Sequence, residues 1–217
     1  MRNFSLRSSA IAPDTLRRLK WLAGTGLIAF LALTAAIDTP FLNAIDQGMS
    51  HALYNAHPIW VAICRVLALL ASFPGSLLIS LCFSLWFWSR DRFAAYGLPL
   101  AVVASWSLAG VIKYSVLRPR PELEHLAHAN SPSFPSGHSM VAWALPFILA
   151  LIFSQRHPEK GRKFYTTAFL TALICGLARV GLGVHHFSDV LAAYSAAMII
   201  VAGFAILYAK HQSRSWG

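Results

Sequence analysis

The chain has 217 residues, of which 57% are hydrophobic and only 12% charged, with a mean hydropathy of +0.57. A soluble domain carries about 25% charged residues, so a water-surrounded globule is excluded and one integral membrane domain over 1–217 is expected. The net charge of +10 does not mark a nucleic-acid binder, because 13 of the 18 Lys and Arg fall in four short polar stretches: Arg2 to Lys20, Arg90 to Arg92, Arg156 to Lys163 and Lys210 to Arg214.

A spanning helix needs roughly 20 mostly apolar residues. In chain order, the first candidate is 21–37, which reads as an uncleaved anchor because a long polar stretch precedes it. A compound apolar stretch at 59–88 follows, broken by Pro74-Gly75. Then come 94–112, 138–153 with Pro146 inside it, 164–182 and 190–208. If the compound stretch crosses once, with an interfacial helix leading in, there are six spans and all four basic stretches share one side. The segment from Asp38 to Pro58, which has no Lys or Arg, then lies opposite. Two crossings would put the 156–163 loop and the C-terminal tail on opposite sides. The positive-inside rule favours six spans with both termini cytoplasmic. The expected fold is an all-α polytopic helical bundle. Cys64, Cys82 and Cys175 lie in apolar runs without disulfide or metal spacing and are expected to pack in the core.

The other five cations are Arg65, Lys113, Arg118, Arg120 and Arg179. The six-span arrangement brings three fragments to one membrane face: 113–121, 135–138 and 179–189. Four of the five cations lie in them, beside His138, His185 and Asp189. Such a cluster suits a phosphate ester. Arg120 and Arg179 offer planar forks to phosphate oxygens, and Lys113 adds a point charge. Ser136 stands where it can cap the next helix and bond a phosphate oxygen. Gly137 allows close approach at a helix N-terminus, a natural anion site. His185 and Asp189 are four apart, one turn on one helix face, so Asp189 can hold one ring nitrogen while the other attacks phosphorus. His138 is then free to act as general acid. These residues make a phosphomonoesterase site that needs no metal or other cofactor.

The fragments resemble the signature of the type 2 phosphatidic acid phosphatase (PAP2) superfamily. Lys, six residues, Arg-Pro matches Lys113, Arg120 and Pro121. Pro-Ser-Gly-His matches Pro135 to His138. Ser-Arg, five residues, His, three residues, Asp matches Arg179, His185 and Asp189, with Ala178 where the family has serine. The resemblance implies a PAP2/haloperoxidase-like core and a phosphohistidine at His185, with His138 protonating the leaving group and later activating water. It also implies a lipid phosphate or diphosphate substrate on the outer face of a bacterial inner membrane. Among the family's lipids, a small open site favours undecaprenyl diphosphate over phosphatidylglycerophosphate, phosphatidic acid or lipid A phosphates. A lipid phosphotransferase and a non-catalytic lipid-phosphate transporter are the rival classes. No nucleic acid is expected as partner, and the oligomeric state is left open.

Four further positions are weighed. Arg118 also precedes a proline, and contact with substrate and shaping of the loop are equally expected of it. His186 has the wrong spacing for a nucleophile and reads as a packed or interfacial ring. Glu124, His125 and His128 read as a solvated loop, and Arg65 as an arginine snorkelling to the interface.

Overall fold

The computed structural model describes residues 13–214, so Arg2 and Arg7 of the first basic stretch lie outside the described residues. Those residues form eight α-helices: α1 (Pro13–Ala35), α2 (Pro40–Leu53), α3 (Pro58–Leu70), α4 (Phe73–Phe87), α5 (Arg92–Val116), α6 (Gly137–Arg156), α7 (Gly161–Gly181) and α8 (Phe187–Arg214). One 3₁₀ turn (Pro158–Lys160) precedes α7, and no strand occurs among the described residues.

The compound stretch at 59–88 divides one step earlier than expected. α3 stops at Leu70, and Ser72 caps α4 by accepting from the Gly75 N–H at 3.2 Å. Pro74-Gly75 therefore opens α4 instead of breaking the stretch, because a proline in the first turn has no helical N–H to lose. The Asp38 to Pro58 segment, expected only as an outer connection, carries α2. Thr39 caps it at 3.4 Å from the Leu42 N–H, with Pro40 at the first helical position. Its inward face presents Leu42, Asp46 and Ser50, all buried, at a four-residue spacing that lines one side of a helix.

Five elements are each long and apolar enough to cross a membrane: α1, α5, α6, α7 with its 3₁₀ turn, and α8. The apolar α4 has 15 residues, roughly 22 Å at 1.5 Å per residue, and packs beside α5. α2 and α3 are bent 119° from one another. They pack on the last turns of α7 and the start of α8, so they cover one end of the bundle.

Side-chain contacts set the helix directions. α1 lies antiparallel to α8, with Gly26 against Ser195 and Met198, and Ile37 clustered with Ala192. At the other end Asp91 caps α5, accepts from Arg156 at 2.9 Å and accepts from Tyr208 at 2.6 Å. This ties the α4–α5 turn, the end of α6 and the end of α8 together. The basic residues Arg90, Arg92, Arg156, Lys160, Arg162, Lys163 and Lys210 gather at that end. Five helices thus meet the length and composition of a span, and the expected six need α4 or the bent α2–α3 pair as well.

The core runs through α4, α5, α6 and α8, with Leu98, Val102, Met140, Ile148 and Ile152 buried. Ala109, Ala144, Ala193 and Ala197 let the helices approach closely, since van der Waals packing rather than water exclusion holds helices together in lipid. Large apolar side chains such as Ile28, Leu85, Leu100 and Val111 face outward. Cys64 and Cys175 are buried as expected, but Cys82 is on the exposed face of α4. Its expected core role is thus corrected: it stands on the opposite side of the helix from the buried Ser76, Ser80 and Ser84.

Candidate active site

Lys113 sits in the last turn of α5, which ends at Leu117 in a left-handed conformation (φ 55°). The connecting loop then crosses the bundle end. Lys113 Nζ donates to the carbonyls of Pro132 and Ser133, the latter at 3.2 Å. Arg120 donates from Nε to the Ser131 carbonyl at 2.9 Å and from Nη1 to the Val184 carbonyl. Two of the three phosphate-binding candidates with positive charge thus also knit the loop to the helices around it.

After α7 the chain turns through Gly183, whose φ of +70° suits glycine. A Cβ there would also come within 3.0 Å of the Glu124 carbonyl and the Tyr54 ring. His185 follows in this turn, two residues before α8 begins. The expectation that His185 and Asp189 share a helix face is corrected, because only Asp189 is helical. They meet nonetheless: Asp189, in the first turn of α8, reaches back and accepts from the His186 N–H at 2.9 Å, with His185 Nδ1 at 3.3 Å. Both side chains are buried. With Nδ1–H donating to Asp189, Nε2 keeps its lone pair, and Arg120 Nη1 stands 3.5 Å from it. Burial pushes the His185 imidazole down to about 3, outweighing the hydrogen bond to Asp189 and aided by the charges of Arg179 and Lys113. The ring is neutral at ordinary pH and can attack without first losing a proton.

Sequence reasoning missed the support behind this pair. Arg118 is buried and bridges two carboxylates, Nη1 to Asp189 at 2.6 Å and Nη2 to Asp46 of α2 at 2.8 Å. Asp46 also accepts from the Ser188 N–H at 2.8 Å and the Ser188 hydroxyl at 2.6 Å. Ser133 donates to the remaining oxygen of Asp189. Arg118 is therefore a bracing residue with both ends engaged. The region of Lys113, Arg118, Arg120 and Arg179 thus holds two buried carboxylates, Asp46 and Asp189, whereas the sequence suggested one. Four against two leaves two positive charges in excess, which matches a phosphomonoester of charge about −2.

Ser136 caps α6 as expected, accepting from the Ser139 N–H at 3.3 Å. Gly137 begins the helix with Trp106 pressed against it, so close that a Cβ would lie 2.8 Å from the indole ring. His138 stands edge-on to the same indole, with ring centroids 5.1 Å apart. Arg179 is 3% exposed, yet its side chain makes no hydrogen bond to any described residue, and its Nε is buried without a partner. A buried guanidinium left unpaired is costly, so the position calls for an anion. Arg179 and His138 line one cavity of about 310 Å³ together with Arg65, Ala68, Leu69, Ser72, Ala127 and His128. A larger cavity of about 690 Å³ opens beside α2 and includes Arg120 and His186 but neither His138 nor Arg179. The smaller one holds His138 and Arg179, the larger holds Arg120, and the buried His185 lines neither.

The other weighed positions sort clearly. The half-buried His186 ring faces the larger cavity, away from the 310 Å³ one. Ala178 is buried with Val61, Cys64 and Leu182, so its methyl joins the contact between α3 and α7. Glu124, His125 and His128 are exposed. No group of three His, Cys, Asp or Glu among the described residues could hold a metal ion. Arg65 does more than reach for water: its Nε donates to the Leu126 carbonyl at 2.8 Å.

Comparison with known proteins identifies the family. The PAP2 superfamily model matches residues 93–213. The chain is 32% identical to phosphatidylglycerophosphatase B of Bacillus subtilis (strain 168) over 186 residues, covering 81% of this chain and 90% of that protein. It is 33% identical to lipid A 1-phosphatase of Rhizobium etli over 120 residues, about half of each chain (50% and 48%). Among solved structures, a transmembrane PAP2 type phosphatidylglycerolphosphate phosphatase from Bacillus subtilis superposes with a TM-score of 0.74 at 25% identity, covering 91% of this chain and 98% of that one. Aquifex aeolicus LpxE superposes with a TM-score of 0.57 at 26% identity, covering 75% and 94%. The chain belongs to the PAP2 superfamily and is a multi-pass membrane lipid phosphatase.

Proposed function

We propose that the chain releases the terminal phosphate of phosphatidylglycerophosphate through a phosphohistidine on His185. The observation that carries the chemistry is the buried imidazole of His185 held by Asp189, at one bundle end with a buried Arg179 whose Nε has no partner. Phosphate oxygens would lie among Lys113, Arg120, Arg179 and the first N–H groups of α6 at Ser136-Gly137. His185 Nε2 forms the bond to phosphorus as the P–O bond to glycerol breaks. His138 gives its proton to the departing alkoxide, then takes one from water as that water displaces His185.

The undecaprenyl diphosphate preference drawn from the open site has no support among the relatives. Similarity to phosphatidylglycerophosphatase B over 90% of its length supports the glycerophospholipid instead. The site lies at the bundle end away from the basic residues. By the positive-inside rule it faces outward from the inner membrane, with both termini cytoplasmic. A cysteine replacing Asn130 in a Cys-free background is expected to react with an impermeant maleimide in intact cells, and one replacing Glu159 is not. The reverse pattern contradicts the orientation.

The substrate test is phosphate release by purified protein in mixed micelles. The panel contains phosphatidylglycerophosphate, phosphatidic acid, lipid A 1-phosphate and undecaprenyl diphosphate, each with and without EDTA. The expected result is the highest kcat/KM on phosphatidylglycerophosphate, unchanged by EDTA, with phosphate free in solution. A higher value on another lipid overturns the substrate. Phosphate appearing on a second lipid makes the protein a phosphotransferase. Loss in EDTA restored by a divalent ion overturns the histidine mechanism.

A further inference from the structure

We infer that Arg65 forms a second anion subsite that takes the phosphodiester of the lipid head group while the terminal phosphomonoester occupies the His185 site, an inference that rests on the substrate proposed above. Arg65 is exposed on α3, a helix whose Ile63 and Val66 are 50% and 56% exposed. Ile59, Leu69 and Leu70 extend the same exposed apolar surface. An arginine there has a simple explanation only if its head merely reaches water. Here the head is exposed and anchored as well. Its Nε edge is docked on the Leu126 carbonyl at 2.8 Å, while Nη1 and Nη2 have no hydrogen-bond partner among the described residues. That docking fixes the plane of the guanidinium and leaves terminal N–H groups able to meet two phosphate oxygens at once.

The surroundings give the subsite its place. Arg65 lines the 310 Å³ cavity with Arg179 and His138, and also an adjoining cavity of about 420 Å³ with His125, His128 and Asn130. The same cavity is lined by the buried Arg179, by the exposed Arg65 and by Leu69, which belongs to the exposed apolar surface of α3. Phosphatidylglycerophosphate has a group for each: a phosphomonoester, and beyond its glycerol a phosphodiester and two acyl chains. Charge supports the match. The inner cluster has two positive charges in excess, enough for the monoester dianion alone. The diester brings one more negative charge, and Arg65 is the remaining cation outside the four basic stretches.

The test compares kcat and KM for phosphatidylglycerophosphate and phosphatidic acid of the same acyl chains, since phosphatidic acid has the monoester and no diester. Arg65→Ala is expected to raise KM for phosphatidylglycerophosphate roughly tenfold with kcat little changed, and to alter kcat/KM for phosphatidic acid less than about twofold. Arg65→Gln, which keeps an N–H donor for the Leu126 carbonyl but no charge, is expected to behave like Arg65→Ala. Arg65→Lys should fall between them and wild type. Equal losses on both lipids, or no loss on either, overturn the subsite. Wild-type protein that fails to release phosphate from phosphatidylglycerophosphate overturns the substrate proposal and the subsite with it, so the wild-type arm separates the two failures.

Discussion

His185→Ala is expected to lower phosphate release by on the order of 10³-fold or more, because it removes the proposed attacking atom and nothing nearby can replace it. His186→Ala is expected to keep most of the activity. The two histidines are adjacent in sequence but differ in what their side chains meet. The His185 ring is buried, held through Nδ1 by Asp189, and has Arg120 beside Nε2. The His186 ring lines the separate cavity beside α2, and only its backbone N–H serves Asp189. Alanine keeps that N–H. Phosphate release by both variants in the same detergent decides the matter, and equal loss at the two positions would mean that the nucleophile is misassigned. Because burial already holds His185 neutral in the free protein, kcat/KM is expected to show no acid limb from this residue between about pH 5 and 8.

Arg118→Met is expected to cost about 3–5 kcal/mol of stability, the range for removing one partner from a buried ion pair. The guanidinium is 5% exposed and the two carboxylates it bridges are 2% and 0% exposed, so neither Asp46 nor Asp189 could recover its solvation in water. Asp46→Asn is expected to be milder, since an amide can still serve Ser188 while one buried charge disappears. Combining the two substitutions should recover part of the loss, because Asp46 no longer carries an unpaired charge. Both single variants should lower kcat more than they raise KM, as the network orients Asp189 and His185 rather than the phosphate ligands. Thermal unfolding in detergent alongside steady-state kinetics measures both effects. An Arg118→Met protein with wild-type stability would contradict the bracing role.

The sequence exposed the parts of this protein whose chemistry is local. Long apolar runs place helices, and the described basic residues from Arg90 to Lys210 outside the site gather at one bundle end because they lie in every second turn between those runs. Lys113, Ser136, His138, Arg179, His185 and Asp189 were legible as candidates because cations, a capping serine and histidines stand out against an apolar background. Partners distant in the chain were not legible. Asp46 meets Arg118 across 72 positions and Ser188 across 142, and a lone aspartate in a polar segment has no pattern to announce its partner. α2 escaped because its apolar residues are too few for a span. Thr39-Pro40 was the available sign, a capping residue followed by a proline suited to the first helical position. The His185–Asp189 spacing was read correctly as a pairing and incorrectly as a helix, because a turn closed by a first-turn carboxylate gives the same four-residue interval. Gly183, just past the end of α7, was the sign that one helix had stopped before His185.

The central claim is that the phosphoryl group passes through His185, and trapping it there tests this most directly. Wild-type protein would be mixed with phosphatidylglycerophosphate, quenched in alkali within the first turnover, where phosphohistidine survives, and digested for mass spectrometry. The account predicts a phosphoryl adduct on His185 in the wild type, none at any position in His185→Ala, and accumulation in His138→Ala given a substrate with a good leaving group, because water then lacks its base. A phosphoryl group found on another side chain, or full turnover by His185→Ala, would contradict it.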